Sequence, residues 1–157
     1  MDNIHELVII GSGPGGYACA FRAADLGINV TLIEMDSSLG GVCLNKGCIP
    51  SKAFLHIAKV LNEAKTISEV GVKFDAPSLN IKKINQWKND IVNNLGSGIE
   101  SLAKRRKVRI INGEASFNSA AELLIKSKSG KQKIKFNNCV IATGSSPTII
   151  PNIDIDH

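Results

Sequence analysis

Leu7-Val8-Ile9-Ile10 is a continuous apolar run that stops abruptly at Gly11-Ser12-Gly13-Pro14-Gly15-Gly16, and this junction constrains the fold more than any other feature. An Ala-rich segment from Tyr17 to Leu26 follows, closed by Gly27, and a second apolar run, Val30-Thr31-Leu32-Ile33, ends at Glu34. The order is strand, glycine turn, helix, strand. Strands without polar alternation are buried on both faces, the pattern of a parallel sheet covered by helices. Gly27 suits a helix C-terminus, where the chain turns into the left-handed region.

The glycine spacing Gly11-x-Gly13-x-x-Gly16 in that context points to a dinucleotide site. Gly11 permits the tight turn, Gly13 leaves room for a pyrophosphate at the backbone, and Gly16 lets helix and strand pack closely. Ser12, Pro14 and Gly15 complete the cradle, and the helix N-terminus offers free N–H groups to phosphate oxygens. Glu34 lies 23 positions after Gly11, where its carboxylate can accept hydrogen bonds from ribose hydroxyls. A turn serving only packing is the plainer reading; the flanking strands and terminal acid together weigh against it. The motif does not separate FAD from NAD.

Beyond Glu34 comes Gly41-Val42-Cys43-Leu44-Asn45-Lys46-Gly47-Cys48-Ile49-Pro50-Ser51-Lys52. On a regular helix two α-carbons five residues apart lie roughly 8.6 Å from each other, whereas a disulfide tolerates up to about 7 Å. The segment must be distorted if Cys43 and Cys48 are to bridge, and Gly47 and Pro50 permit that. Half a zinc site is a competing reading, but no second Cys/His pair has suitable spacing, and His56 stands alone. Simple apolar filling is another, and it suits Cys19 and Cys139, one in the first helix and one in an apolar strand. No metal site is expected.

The remaining chain organises readily. Residues 53–64 read as a helix with Pro50 just before it, and residues 66–80 as a connection. Ile84, Trp87, Ile91, Leu95, Ile99 and Leu102 recur at helical steps through 81–102, with a kink or break expected at Gly96 and Gly98. Residues 108–111, 122–126, 133–136 and 139–142 read as strands, with a turn at Ser129-Gly130. The fold expected is α/β: a Rossmann-like parallel sheet from 7–10, 30–33, 108–111 and 139–142, with helices on its faces. A small antiparallel β-meander comes from 115–136. Residues 1–150 form the domain and 151–157 a tail.

The charge of +5, from 19 basic and 14 acidic residues, concentrates in 82–109 and 126–135. Solvated faces explain such runs most simply, and docking of an acidic partner surface is the alternative. Aromatics are sparse and not interleaved with the lysines, which argues against nucleic acid as a partner. No apolar stretch is long enough for a membrane span. The N-terminus does not read as a signal peptide, so a cytoplasmic location is expected, where thiols stay reduced unless chemistry requires otherwise.

The stretch from Gly40 to Lys52 resembles the active-site signature of the class I pyridine nucleotide–disulfide oxidoreductases. The resemblance extends through Gly11–Gly16, Trp87, Asn112-Gly113-Glu114-Ala115 and Ala142-Thr143-Gly144-Ser145. Leu44, Ile49 and Ser51 are similar to the branch that oxidises dihydrolipoyl groups, rather than to the glutathione or mercuric reductases. The resemblance implies that the glycine turn, with Gly41 and Val42 nearby, holds the pyrophosphate of FAD, and that Glu34 holds its adenosine ribose. It implies Cys48 as the thiolate against the flavin, Cys43 as the interchange thiol and Lys52 near the flavin ring. Ala115 would meet adenine, and Thr143 and Gly144 the flavin's far side. It further implies a lipoyl domain of a 2-oxo acid dehydrogenase complex as partner, NAD as final acceptor and a homodimer. Family members are about three times as long, so the NAD domain, a return segment to the FAD domain and the interface domain with its base would all lie outside this chain. The fragment alone is then expected to form the Cys43–Cys48 disulfide but to lack turnover. Nucleotide sensing through a non-redox turn, or an assembly module, would leave both cysteines dispensable.

Overall fold

The computed structural model describes residues 4–146, 148, 150 and 151, so of the expected tail only Pro151 is included. The order is β1 (Ile4–Ile10), α1 (Pro14–Asp25), β2 (Val30–Glu34), α2 (Gly41–Asn45), α3 (Cys48–Ile67), a 3₁₀ turn (Ser68–Val70) and α4 (Ile81–Arg105). Four strands follow: β3 (Arg109–Asn112), β4 (Glu114–Ser119), β5 (Glu122–Ser127) and β6 (Gly130–Ile141). All six strands join one sheet in the order β3-β2-β1-β6-β5-β4. β3, β2, β1 and the second half of β6 run parallel, whereas β4, β5 and the first half of β6 are antiparallel.

Every residue of β2 is buried, as a strand covered on both faces requires. Alternate side chains feed two cores. Ile9, Val30 and Leu32 meet Ala20 and Ala23 of α1, Ala103 of α4 and Leu39. Small alanines let α1 lie close against the strands. On the other face, Val8, Ile10, Ile33 and Ile111 meet Leu123, Ile125, Ile134 and Phe136 of the antiparallel wing. The helix-flanked parallel sheet and the meander are therefore both present. The second face is covered by the meander itself rather than by helices, and the meander is continuous with the parallel sheet rather than separate.

This follows from β6. The sequence suggested two strands, at 133–136 and 139–142; they form one strand of 12 residues, pairing β5 at one end and β1 at the other. Asn137 and Asn138 break the apolar pattern but not the extended backbone, because β1 continues to pair with it.

α4 also departs from expectation. It runs unbroken for 25 residues through Gly96 and Gly98. Each glycine costs a helix about 1 kcal/mol, but the packing of Ile99 and Ala103 into the core outweighs that. Asn80 caps its start by accepting from the Lys83 N–H at 3.0 Å. At its end, Arg106 donates to Asp25 at 2.9 Å and lies over the Phe21 ring, which fastens α4 to α1. α3 is longer than expected, starting at Cys48, so Pro50 sits inside its first turn, where N–H groups lack helical partners anyway.

Candidate functional site

The carboxyl ends of β1, β2 and β6 open on a cleft of about 480 Å³, the position where parallel α/β sheets bind ligands. Its walls contain Gly11, Ser12, Gly13, Pro14, Glu34, Gly41, Val42, Cys43, Ala115, Thr143 and Gly144. These come from five separate stretches of sequence and converge only because β1 is central.

The glycines of the turn are fixed by contact. Gly11 has φ +96, and a Cβ there would lie 2.4 Å from the Ala142 carbonyl oxygen. A Cβ on Gly16 would lie 1.8 Å from the Gly11 carbonyl oxygen, so α1 can start where it does only with glycine there. Gly13 is different: a Cβ on it would meet nothing nearer than Gly41 Cα at 4.0 Å. It lines the cleft, and the room beside it is room for a ligand. Gly15 and Gly16 do not line the cleft; Gly16 is buried beneath it.

Glu34 is only 6% exposed. One carboxylate oxygen accepts from the Ser12 N–H at 2.8 Å and the Ser12 hydroxyl at 2.5 Å, and the other accepts from the Asp36 N–H at 2.9 Å. A carboxylate offers about four acceptor positions, so these bonds fix its orientation and leave capacity for a ligand hydroxyl. Ser12 is fully buried, and its hydroxyl is satisfied by this bond.

The cysteine pair is built across a break between helices. α2 ends at Asn45, and α3 begins at Cys48. Gly47 lies between them, where a Cβ would press to 3.2 Å from the Val42 carbonyl oxygen. This break is the distortion that the five-residue spacing demands. Both cysteines are free, and the two sulfurs are hydrogen-bonded. That hydrogen bond holds the Cys43 thiol above the ordinary thiol range. Burial and the neighbouring sulfur add to the rise, while the Cys48 N–H and, less strongly, the Lys52 ammonium oppose it. Cys43 lines the cleft; Cys48 and Lys52 are exposed beside it, one turn apart on α3.

The walls also contain Gly113, Glu114 and Ser145, which stood in the stretches that carry the resemblance but were given no role, and Met35 and Asp36, which sequence reasoning missed. The only signal for Met35 and Asp36 was position, just past the carboxyl end of a strand that would be central. Cys19 and Cys139 are half-buried and pack on opposite cores, as apolar fillers do. Burial alone raises the Cys139 thiol. His56 is exposed, its ring 6.4 Å from that of Trp87. Among the described residues no group of three or more His, Cys, Asp or Glu could hold a metal, and no helix is long and apolar enough to cross a membrane.

Comparison with known proteins agrees with this geometry. Residues 5–156 match the profile of the pyridine nucleotide-disulphide oxidoreductases. The chain is 52% identical over 148 residues to a dihydrolipoyl dehydrogenase of Buchnera aphidicola from Schizaphis graminum, covering 94% of this chain and 31% of that protein. It is 45% identical over 148 residues to the dihydrolipoyl dehydrogenase of Vibrio cholerae, with the same coverage of 94% and 31%. Among solved structures, the copper(II) complex of the HOCl-induced flavoprotein disulfide reductase RclA of Escherichia coli superposes with a TM-score of 0.77. The two are 28% identical, over 95% of this chain and 30% of that one. The chain thus spans about a third of the length of the curated relatives it matches. With the strand–glycine–helix cradle, the buried acid and Cys43 of the cysteine pair all on one cleft, the chain belongs to the pyridine nucleotide-disulphide oxidoreductase family.

Proposed function

We propose that this chain is the flavin-and-dithiol part of a dihydrolipoyl dehydrogenase, which oxidises dihydrolipoyl groups of a 2-oxo acid dehydrogenase complex with NAD as final acceptor. One observation carries the reading: Cys43 opens on the same cleft as the glycine cradle and Glu34. A dinucleotide and an exchangeable sulfur pair thereby share one site.

The residues present fit FAD. Gly13 and Pro14 at the start of α1 would take the pyrophosphate, and Glu34, oriented by Ser12, a ribose hydroxyl. Ala115 would meet adenine, and Thr143, Gly144, Lys52 and Cys48 the flavin end. When bound, FAD supplies a two-electron acceptor beside the sulfurs.

The cysteines' part follows from thiol–disulfide exchange. A dihydrolipoyl thiolate attacks the Cys43 sulfur of the Cys43–Cys48 disulfide, the S–S bond breaks, and Cys48 leaves as thiolate. The second lipoyl thiol then displaces Cys43, giving the cyclic lipoyl disulfide and a reduced pair. Cys43 takes up a proton readily because its hydrogen bond to Cys48 favours the thiol. Lys52 balances the negative charge left on the pair.

The test is exchange itself. The oxidised chain is incubated with dihydrolipoamide or with glutathione, and thiols are counted on Cys43 and Cys48. Faster reduction by dihydrolipoamide, with lipoamide formed in equal amount, supports the dihydrolipoyl branch. Preference for glutathione would replace it with a glutathione reductase reading. Indifference to Cys43→Ser would remove the redox reading altogether.

A further inference from the structure

We propose that Asn45 is a positioning residue for the cysteine pair, acting as a clamp that holds the one-turn helix α2 closed and so sets Cys43 against Cys48. This rests on the reading of the two cysteines as a redox pair. Asn45 lies between them in sequence but points away from both in its bonding. Its amide group donates to the Leu39 carbonyl at 3.1 Å and to the Gly41 carbonyl at 3.0 Å, and its amide oxygen accepts from the Ser38 hydroxyl at 3.2 Å. Three of the four hydrogen-bonding positions of one side chain are thus spent on residues 38–41.

A helix of five residues does not hold itself together in isolation. Asn45, its last residue, bonds back to Gly41, its first. The same turn is docked on the glycine cradle. The Gly40 N–H donates to the Ser12 carbonyl at 3.0 Å, and a Cβ on Gly41 would lie 2.7 Å from Gly13 Cα. Cys43 therefore rides on an element anchored at one end to the cradle and kept in shape at the other by Asn45. Cys48 belongs to a different helix, beyond the break at Gly47. The contact from the Cys48 N–H to the Cys43 sulfur spans the break, and the clamp, by holding α2 in shape, keeps Cys43 where that contact can form.

The ease with which two thiols close a disulfide depends on how well they are held in bonding geometry. The experiment equilibrates the chain, without flavin and without air, against reduced and oxidised dithiothreitol at ratios spanning several decades. Two cysteine S–H groups lose two protons and two electrons to the dithiothreitol disulfide, and the Cys43–Cys48 bond forms. The bridged fraction is read by acid quench, alkylation and peptide mass. We expect Asn45→Ala to lower the equilibrium constant for the protein disulfide about tenfold. Asn80→Ala, which removes the cap of α4 far from the sulfurs, should lower the melting temperature but leave that constant unchanged. If Asn45→Ala melts below the assay temperature, Ser38→Ala, which removes only the hydroxyl that orients the amide, should move the constant in the same direction by about threefold. A constant within twofold of the starting chain for both Asn45→Ala and Ser38→Ala would overturn the proposal, as would an equal shift in Asn80→Ala. Failure of the unaltered chain to form the disulfide at any ratio would instead remove the redox reading on which the proposal rests.

Discussion

At the scale of single residues, the site rests on two hydrogen-bonded pairs, Ser12 with Glu34 and Cys43 with Cys48. The first predicts a binding defect and a stability defect together. Glu34→Ala removes the acceptor for a ribose hydroxyl and strands the buried Ser12 hydroxyl and N–H. Loss of a charged hydrogen bond is worth about 1.5–3 kcal/mol, so FAD affinity in a fluorescence titration should fall about tenfold or more. The unfolding free energy should fall by about 1–3 kcal/mol, measured without flavin in urea. The second pair predicts a pH dependence. The largest influence on Cys43 is its bond to Cys48, which favours the protonated form and raises its pKa. Thiolate is the reactive species, so alkylation of Cys43 should rise at higher pH than for an ordinary exposed thiol. Cys48→Ala removes the bond and should move that rise to lower pH. An unchanged profile would contradict the assignment. The cysteine spacing was legible as an oddity in the sequence, because five residues cannot bridge on a helix. The Ser12 contact was not, since Glu34 and Ser12 are adjacent only once β1 and β2 pair.

At the scale of elements, the sequence placed β1, β2, β3 and β5 and the first helix closely because their signals are local, whereas it split β6 in two and set no bounds for β4. It misjudged elements whose outcome depends on distant partners. Gly96 and Gly98 read as breakers, yet α4 continues unbroken through both, with core contacts made about eighty residues from their partners in α1. That gives a clean test. Gly98 lies on an exposed helical stretch with nothing within 4 Å of an added Cβ, so Gly98→Ala should stabilise the chain by about 0.5–1 kcal/mol. A kinked helix would instead lose stability on the same substitution. Gly16→Ala should do the opposite and destabilise by more than about 3 kcal/mol, because α1 must leave β1 to avoid the Gly11 carbonyl. Both are read by thermal or urea melts. The break between α2 and α3 was half legible: Gly47 and Pro50 signalled distortion, but only the structure puts the break before Cys48 and Pro50 within the helix.

At the scale of the molecule, one sheet does three things. Its helical face carries the main core, its other face is closed by its own antiparallel wing, and its carboxyl end holds the cleft. Away from the cleft, α3 and α4 expose Phe54, Leu55, Val60, Ile81, Trp87 and Leu95. Apolar patches of this kind bind hydrophobic dyes and promote association. Light scattering should show the isolated chain self-associating as concentration rises. The glycine turn at the cleft is the one dinucleotide motif read in the sequence, and FAD would occupy it, so we expect no NADH from dihydrolipoamide even with FAD added. Turnover comparable to a whole dihydrolipoyl dehydrogenase would contradict this. Titrating the reduced chain with FAD while recording the visible spectrum asks whether the glycine cradle and the cysteine pair form one flavin site. We expect saturation at one flavin per chain and a long-wavelength absorbance that is lost in Cys48→Ser. Binding should weaken in Gly13→Val, which fills the room beside the cradle. Flavin that fails to bind, or that binds with a spectrum indifferent to both substitutions, would contradict a single flavin site.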